Sequence, residues 1–86
     1  MRFVDIGFQN NVNIEDIFYF ANYKSASVKR KVYEAKQRQQ CIDSTAARGI
    51  RSVIFLKNGY VILCSLQIVS LKKRLAGKED VKDNEE

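Results

Sequence analysis

Arg48 and Arg51, set around Gly49, are the side chains of this 86-residue chain best suited to holding another molecule. A guanidinium is planar, always charged and forked, a match for phosphate oxygens or a guanine edge. Both sit in the small-residue stretch Thr45-Ala46-Ala47-Arg48-Gly49-Ile50-Arg51, where short side chains let a ligand come close to the backbone. Lys29, Arg30 and Lys31 form a second basic group, and Lys72, Lys73 and Arg74 a third. Covalent chemistry has no comparable set. The chain has no His, so the commonest general base is missing. Cys41 and Cys64 match no zinc spacing and fall in strand patterns, where free cysteines are ordinary core residues. No nucleophile–base pair can be assembled, so neither an enzyme nor a metal, cofactor or small-molecule substrate is expected.

The charge balance points the same way. The chain carries 15 Lys or Arg against 10 Asp or Glu, a net charge of +5. The excess lies in residues 1–77, and the last nine positions, from Lys78, hold five acids against two lysines. Residues 1–77 therefore read as one basic domain, and 78–86 as an acidic, disordered extension. Such a tail is either a solvated terminus or a strip that competes with a polyanion for the basic surface. A pI of 9.4 favours a polyanionic partner. No apolar stretch approaches a membrane span, and Met-Arg-Phe-Val-Asp-Ile has no apolar signal region. A cytoplasmic, nucleoid-associated protein with reduced thiols is the expectation, with no membrane partner.

The elements that position these residues follow from periodicity. Arg2 to Ile6 reads as a short strand ending at Gly7, Asn10-Asn11 as a turn, and Val12 to Ile14 as a return to the sheet. Ile17 to Tyr23 is aromatic and β-branched, a strand. Val28, Val32 and Ala35 then recur at helical spacing after a Ser25 or Ser27 cap, predicting a helix to about Gln39. Basic residues flank that stripe, an arrangement equally ordinary on a solvated face, and Arg30 is spaced to pair with Glu34. Cys41 to Thr45 reads as a strand and Ala46 to Ile50 as a loop. Arg51 to Lys57 and Tyr60 to Leu66 flank Asn58-Gly59, the sequence of a two-residue type I′ hairpin. Ile68, Leu71 and Leu75 predict a short helix ending at Gly77, where Lys72, Lys73 and Arg74 also complement the helix dipole. The fold class is α+β: a small, mostly antiparallel sheet with one main helix and a short C-terminal helix.

Several strands are apolar on both faces. Val53 and Phe55 oppose Ile54 and Leu56, and Ile62, Cys64 and Leu66 oppose Val61 and Leu63. In Ile17 to Tyr23, Phe18 and Phe20 fall on one side, with Ile17 and Tyr19 on the other. Such a sheet must be covered twice. One long and one short helix do not easily cover five strands, which predicts a homo-oligomer; the alternative is that the two helices take opposite faces and the domain stays monomeric.

The chain resembles the RemA/RemB family of small bacterial regulators of extracellular-matrix (biofilm) genes, over residues 3 to about 75. The resemblance rests on Ile6-Gly7-Phe8, on Ser25-Ala26-x-x-Lys29-Arg30, and on Asp43-x-Thr45 followed by an Arg-containing loop. Arg51-Ser52-Val53-Ile54 with its hairpin, and Ser70-Leu71-Lys72-Lys73-Arg74, also fit. It implies a DNA-binding transcriptional regulator with a LytTR-like fold, assembled into a ring that presents basic loops to double-stranded DNA. The family's loop reads Thr-Tyr-Gly-Arg-Arg-Thr-Arg. Arg48 and Arg51 keep its first and last arginines, Gly49 replaces the second, and a family arginine ahead of the second main strand falls near Asp16.

The leading expectation is thus a non-enzymatic DNA-binding regulator using Arg48 and Arg51, supported by Lys29, Arg30, Lys31 and the Lys72–Arg74 group. An oligomeric protein-interaction scaffold is the alternative, as is an RNA-binding ring stacking bases on Tyr19, Tyr23 or Tyr60. Exposed aromatics beside the basic loop would favour RNA, and in the sequence none flanks Arg48.

Overall fold

Alternation in the long apolar runs sorts their side chains onto two faces of a sheet. The computed structural model describes residues 1–77, and the expected acidic tail lies outside them. Strands β3 (Ile17–Asn22), β5 (Ser52–Leu56), β6 (Val61–Cys64) and β4 (Cys41–Asp43) lie side by side in that order. Pairs β3–β5 and β5–β6 are antiparallel, and β4–β6 is parallel. Strands β1 (Phe3–Asp5) and β2 (Asn11–Asn13) do not join this sheet. They form a separate two-stranded hairpin, so in place of one five-strand sheet there is a four-stranded sheet and a two-stranded one.

Each face of the sheet has its own cover. Val53, Phe55, Val61 and Leu63 pack against Val28, Val32 and Ala35 of helix α1 (Ala26–Gln37). On the other face Ile54, Ile62, Cys64 and Leu66 pack against Ile6, Val12 and Leu71, the last from helix α2 (Ile68–Leu75). Fully burying side chains such as Ile54, Leu66 and Leu71 stabilises the fold by about 1.5–3 kcal/mol each. The β1–β2 hairpin, expected within the sheet, lies instead with α2 as cover over this second face. With it in place both faces are closed within one chain, and two-sided burial no longer requires a second copy.

Strand β3 departs from simple alternation. Ile17 pairs with Leu56 and Tyr19 with Phe55, leaving Phe18 as a bulge. The extra residue puts Ile17 and Phe20 on the α2 side and Tyr19 on the α1 side, and leaves Phe18 70% exposed. The expected pairing of Phe18 with Phe20 on one face is corrected by this one-residue shift.

Turns also depart from expectation. The Asn58-Gly59 hairpin is not a two-residue type I′ turn, because only Gly59 (φ 96°) has positive φ. Gly59 N–H donates to Leu56 O at 3.1 Å and Leu56 N–H to Tyr60 O at 2.9 Å, closing a three-residue loop with glycine in the left-handed position. Helix α1 ends in a Schellman motif: Gln40 N–H reaches Ala35 O and Gln39 N–H reaches Lys36 O, with Gln39 at φ 58°. A glutamine fills the position where glycine is usual, so the sequence carries no stop signal there. Strand β4 ends at Asp43, two residues early, because Asp43 turns back to hold Thr45.

Candidate functional site

The loop from Ser44 to Arg51 leaves the sheet at the end where β5 begins and β6 finishes. Its backbone is pinned from both sides. Ser44, buried, donates its hydroxyl to Leu63 O at 2.7 Å. Asp43 Oδ1 accepts from Thr45 N–H at 2.9 Å and from the Thr45 hydroxyl at 2.6 Å. Those bonds hold the Asp43 carboxyl below the usual carboxylate range: the Thr45 hydroxyl contributes most, then the Thr45 amide, with Lys36 adding a smaller attraction. Arg48 N–H then donates to Thr45 O at 2.9 Å, closing a turn whose central residues Ala46 (φ 52°) and Ala47 (φ 65°) are both left-handed.

A second turn of the same kind stands opposite. Asn10 N–H donates to Gly7 O at 3.0 Å across Phe8 (φ 54°) and Gln9 (φ 64°), and Asp5 Oδ1 accepts from Gly7 N–H at 2.7 Å. This is where the first hairpin reverses, ahead of the Asn10-Asn11 pair that the sequence suggested. Paired positive φ is the pattern of a type I′ turn, normally built from Gly, Asn or Asp. Here two alanines, a phenylalanine and a glutamine adopt it. The two turns meet through side chains: the Arg48 guanidinium carbon lies 5.5 Å from the centroid of the Phe8 ring. An aromatic therefore does flank Arg48, contrary to the sequence reading, although it comes from forty positions earlier in the chain.

Arg51 is exposed on the other flank of the loop, its backbone tied to Cys64 O and Tyr23 N–H. With Lys24, Ile50, Gln67 and Ile68 it lines a surface cleft of about 570 Å³. The first turn of α2 opens onto this cleft, and Gln67 supplies no side-chain cap. The positive end of the helix and two cations thus share one concavity. Lys24 is not among the residues that the sequence singles out; it follows the end of β3, which brings it there.

The remaining basic residues divide. Lys29 lies over the Tyr23 ring at 5.4 Å. Lys31 donates to the Tyr19 hydroxyl at 3.0 Å and lies over the Tyr19 and Phe55 rings, the latter two stacked at 4.5 Å. Arg30 is exposed and makes no ion pair with Glu34 among the described residues, unlike the pairing that its spacing suggested. Lys72 and Lys73 are exposed at the far end of α2. Arg74 is occupied: it donates to Asp5 O at 2.9 Å and lies 3.9 Å from the Asp5 carboxylate. Among the described residues it is the one side-chain cation held in an ion pair. Arg48 and Arg51 are brought to the same end of the sheet as Lys24, whereas the Lys72–Arg74 group belongs to the packing of α2 on the hairpin.

No three His, Cys, Asp or Glu side chains come together as a metal site among the described residues. Cys64 is buried and Cys41 half-buried, its thiol pushed up chiefly by burial. No helix among the described residues is long and apolar enough to cross a membrane.

The family model described as RemA-like, extracellular matrix regulatory protein A-like, matches residues 3–75, from the first residue of β1 to the last of α2. Relatives in Bacillus cytotoxicus and Bacillus mycoides are each 36% identical over 83 residues, covering 96% of this chain and 95% of theirs. Each is named "Putative regulatory protein", as is one in Bacillus anthracis at the same identity. These names point to regulation rather than catalysis. With the family model matched over residues 3–75 and relatives of nearly the same length at 36% identity, the chain belongs to the RemA-like family.

Proposed function

We propose that this protein is a non-enzymatic transcriptional regulator that binds double-stranded DNA as a homo-oligomer, with the Ser44–Arg51 loop as the contact. One observation carries the reading: Arg48 and Arg51 stand exposed on a pinned loop, with Lys24 beside Arg51 and no carboxylate paired to any of them among the described residues. Unneutralised cations on a rigid turn hold their full charge for phosphates. One subunit neutralising a few phosphates binds weakly; several subunits on one duplex multiply the contacts, because each later one is intramolecular. Affinity then falls with log salt at a slope of about 0.9 per phosphate neutralised.

The test is light scattering after gel filtration, with and without a ~30-base-pair duplex at low and moderate salt. The expected result is a multi-subunit species that retains duplex in a salt-sensitive way and loses it with Arg48→Ala. An oligomer that ignores DNA would make the protein an interaction scaffold instead. A second reading, binding of single-stranded RNA, draws on a groove lined by Phe18, Tyr19, Lys31, Arg38 and Tyr60, in which Phe18 is 70% exposed. Tyr19 is committed to Phe55 and Lys31, and Phe8 to Arg48, so fewer rings are free to stack bases than the sequence suggested. A single-stranded competitor that outcompetes duplex at equal charge would favour that reading.

A further inference from the structure

Phe8 has no place among the basic residues, yet it occupies the most constrained position beside them. Its φ of 54° is one that glycine or asparagine adopts at less cost, and its ring is only half-buried. Core packing does not require an aromatic there: the buried cluster under the hairpin is made by Ile6 and Val12 on either side of the turn. What the ring touches is the Arg48 guanidinium. Among the described residues Arg48 has neither a hydrogen-bond acceptor nor an ion-pair partner for its side chain. An arginine with no other anchor samples many rotamers, and a guanidinium restrained at one face keeps its in-plane N–H donors open.

Resting on the reading of Arg48 as a DNA contact, we propose that Phe8 is the positioning residue of that contact. Its ring, held in place by the left-handed turn Gly7–Asn10, restrains the guanidinium and presents the N–H fork to a phosphate of the duplex. Asp5 fixes the turn through Gly7 N–H, and Asp43 fixes the facing turn through Thr45. The two halves of the device are therefore built separately and meet at the Phe8–Arg48 contact. Lysine could not replace arginine here without losing the planar fork.

Phe8→Asn separates this role from a structural one. Asparagine is at ease with positive φ, so the variant is expected to fold at least as stably while binding duplex about two- to fivefold more weakly per site. The charge of Arg48 remains, so the salt slope is expected to stay as in the parent, whereas Arg48→Ala lowers it by about 0.9 per subunit bound. Phe8→Tyr and Phe8→Trp restore binding, since both rings hold a cation. In the free protein, the Arg48 Nε–H resonance is expected to lose its ring-current shift in Phe8→Asn. If Arg48→Ala weakens binding and Phe8→Asn does not, the positioning role is overturned while the DNA reading stands. If Arg48→Ala has no effect, the DNA reading falls and takes this inference with it. Weakened binding accompanied by lower stability in Phe8→Asn would show a packing role instead.

Discussion

The Arg48 guanidinium carbon stands 5.5 Å from the Phe8 ring centroid, and both residues belong to turns closed in the same way. In each turn an aspartate at the end of a strand accepts from an amide two residues on, Asp5 from Gly7 and Asp43 from Thr45. In each, two consecutive non-glycine residues take positive φ. Strain of this kind persists only where surrounding bonds over-determine the backbone, and it clusters at functional sites. Its presence twice, at the two ends of one side-chain contact, is what marks this corner of the domain.

The strain can be relieved without touching the contact. A left-handed L-residue costs about 1–2 kcal/mol, and the extra freedom of an unfolded glycine returns about 0.5–1 kcal/mol of that. Ala47→Gly is therefore expected to stabilise the domain by about 0.5–1 kcal/mol. For a domain of this size that raises the midpoint by several degrees, at about 4–8 °C per kcal/mol, readable by thermal denaturation. Gly49→Ala is the opposite control: its φ is 99°, and although a Cβ would meet nothing within 4 Å, the backbone disfavours it. A lower midpoint in Ala47→Gly would mean that the turn is not strained.

Asp43 gives the loop a signature in pH. Its carboxyl titrates below the ordinary value because the Thr45 hydroxyl, then the Thr45 amide, bind the charged form. A depressed folded value means that the ionised side chain stabilises the fold. That contribution is complete above the unfolded value of about 3.9 and is lost as pH falls through the folded value. Asp43→Asn keeps the shape but not the charge. Urea midpoints of parent and variant are expected to differ at pH 7 and to converge as pH drops below 3.9. Curves that stay parallel would show that the Asp43 charge does not secure the turn.

Arg74 is expected to behave unlike the lysines beside it. Its side chain is 14% exposed and joins α2 to β1 through Asp5, while Arg2 donates in turn to the Arg74 and Leu75 carbonyls. Removing a hydrogen-bonded, largely buried cation costs about 1–3 kcal/mol. Arg74→Ala is expected to lower the urea midpoint by that measure, whereas Lys72→Ala and Lys73→Ala stay within about 0.5 kcal/mol. A DNA-binding defect in the lysine variants, with Arg74→Ala stable, would reverse these assignments.

What the sequence disclosed and withheld follows from the range of the forces involved. Local periodicity placed Val28, Val32 and Ala35 on α1 and put Val53 and Phe55 opposite Ile54, because these patterns are set within a few residues. Gly77 ended α2 as glycine should. The separate β1–β2 layer was not legible: three-residue strands carry little pattern, and their placement over α2 depends on Arg74 meeting Asp5 across 69 positions. The Phe18 bulge left no composition cue. At the site, Arg48 and Arg51 were visible as residue types, but Phe8 was not, because its partner lies forty positions away and its turn uses residues that ordinarily avoid positive φ.

Phe18 tests assembly. With both sheet faces covered internally, any self-association uses what remains outside, and the unpaired edge of β3, with the apolar side chain that its bulge turns outward, is one such surface. Proteins usually blunt open edges with charge or proline, and the chain has no proline. At 70% exposure Phe18 contributes little to the subunit's own core; among the described residues its one ring contact is with Tyr19, edge to face at 5.4 Å. Phe18→Lys is thus expected to change subunit stability by no more than about 0.5 kcal/mol. If β3 is the edge through which copies meet, the same variant lowers the mass seen by light scattering, because a lysine would bury its charge in the contact. Duplex affinity would then fall with the assembly, while Arg48 and its loop stay intact. A Phe18→Lys protein that keeps both its mass and its DNA affinity would move the interface away from this edge, with Val69 on α2, Ile42 on the β4 edge, Phe3 on β1 and Tyr33 on α1 among the exposed apolar positions to substitute next.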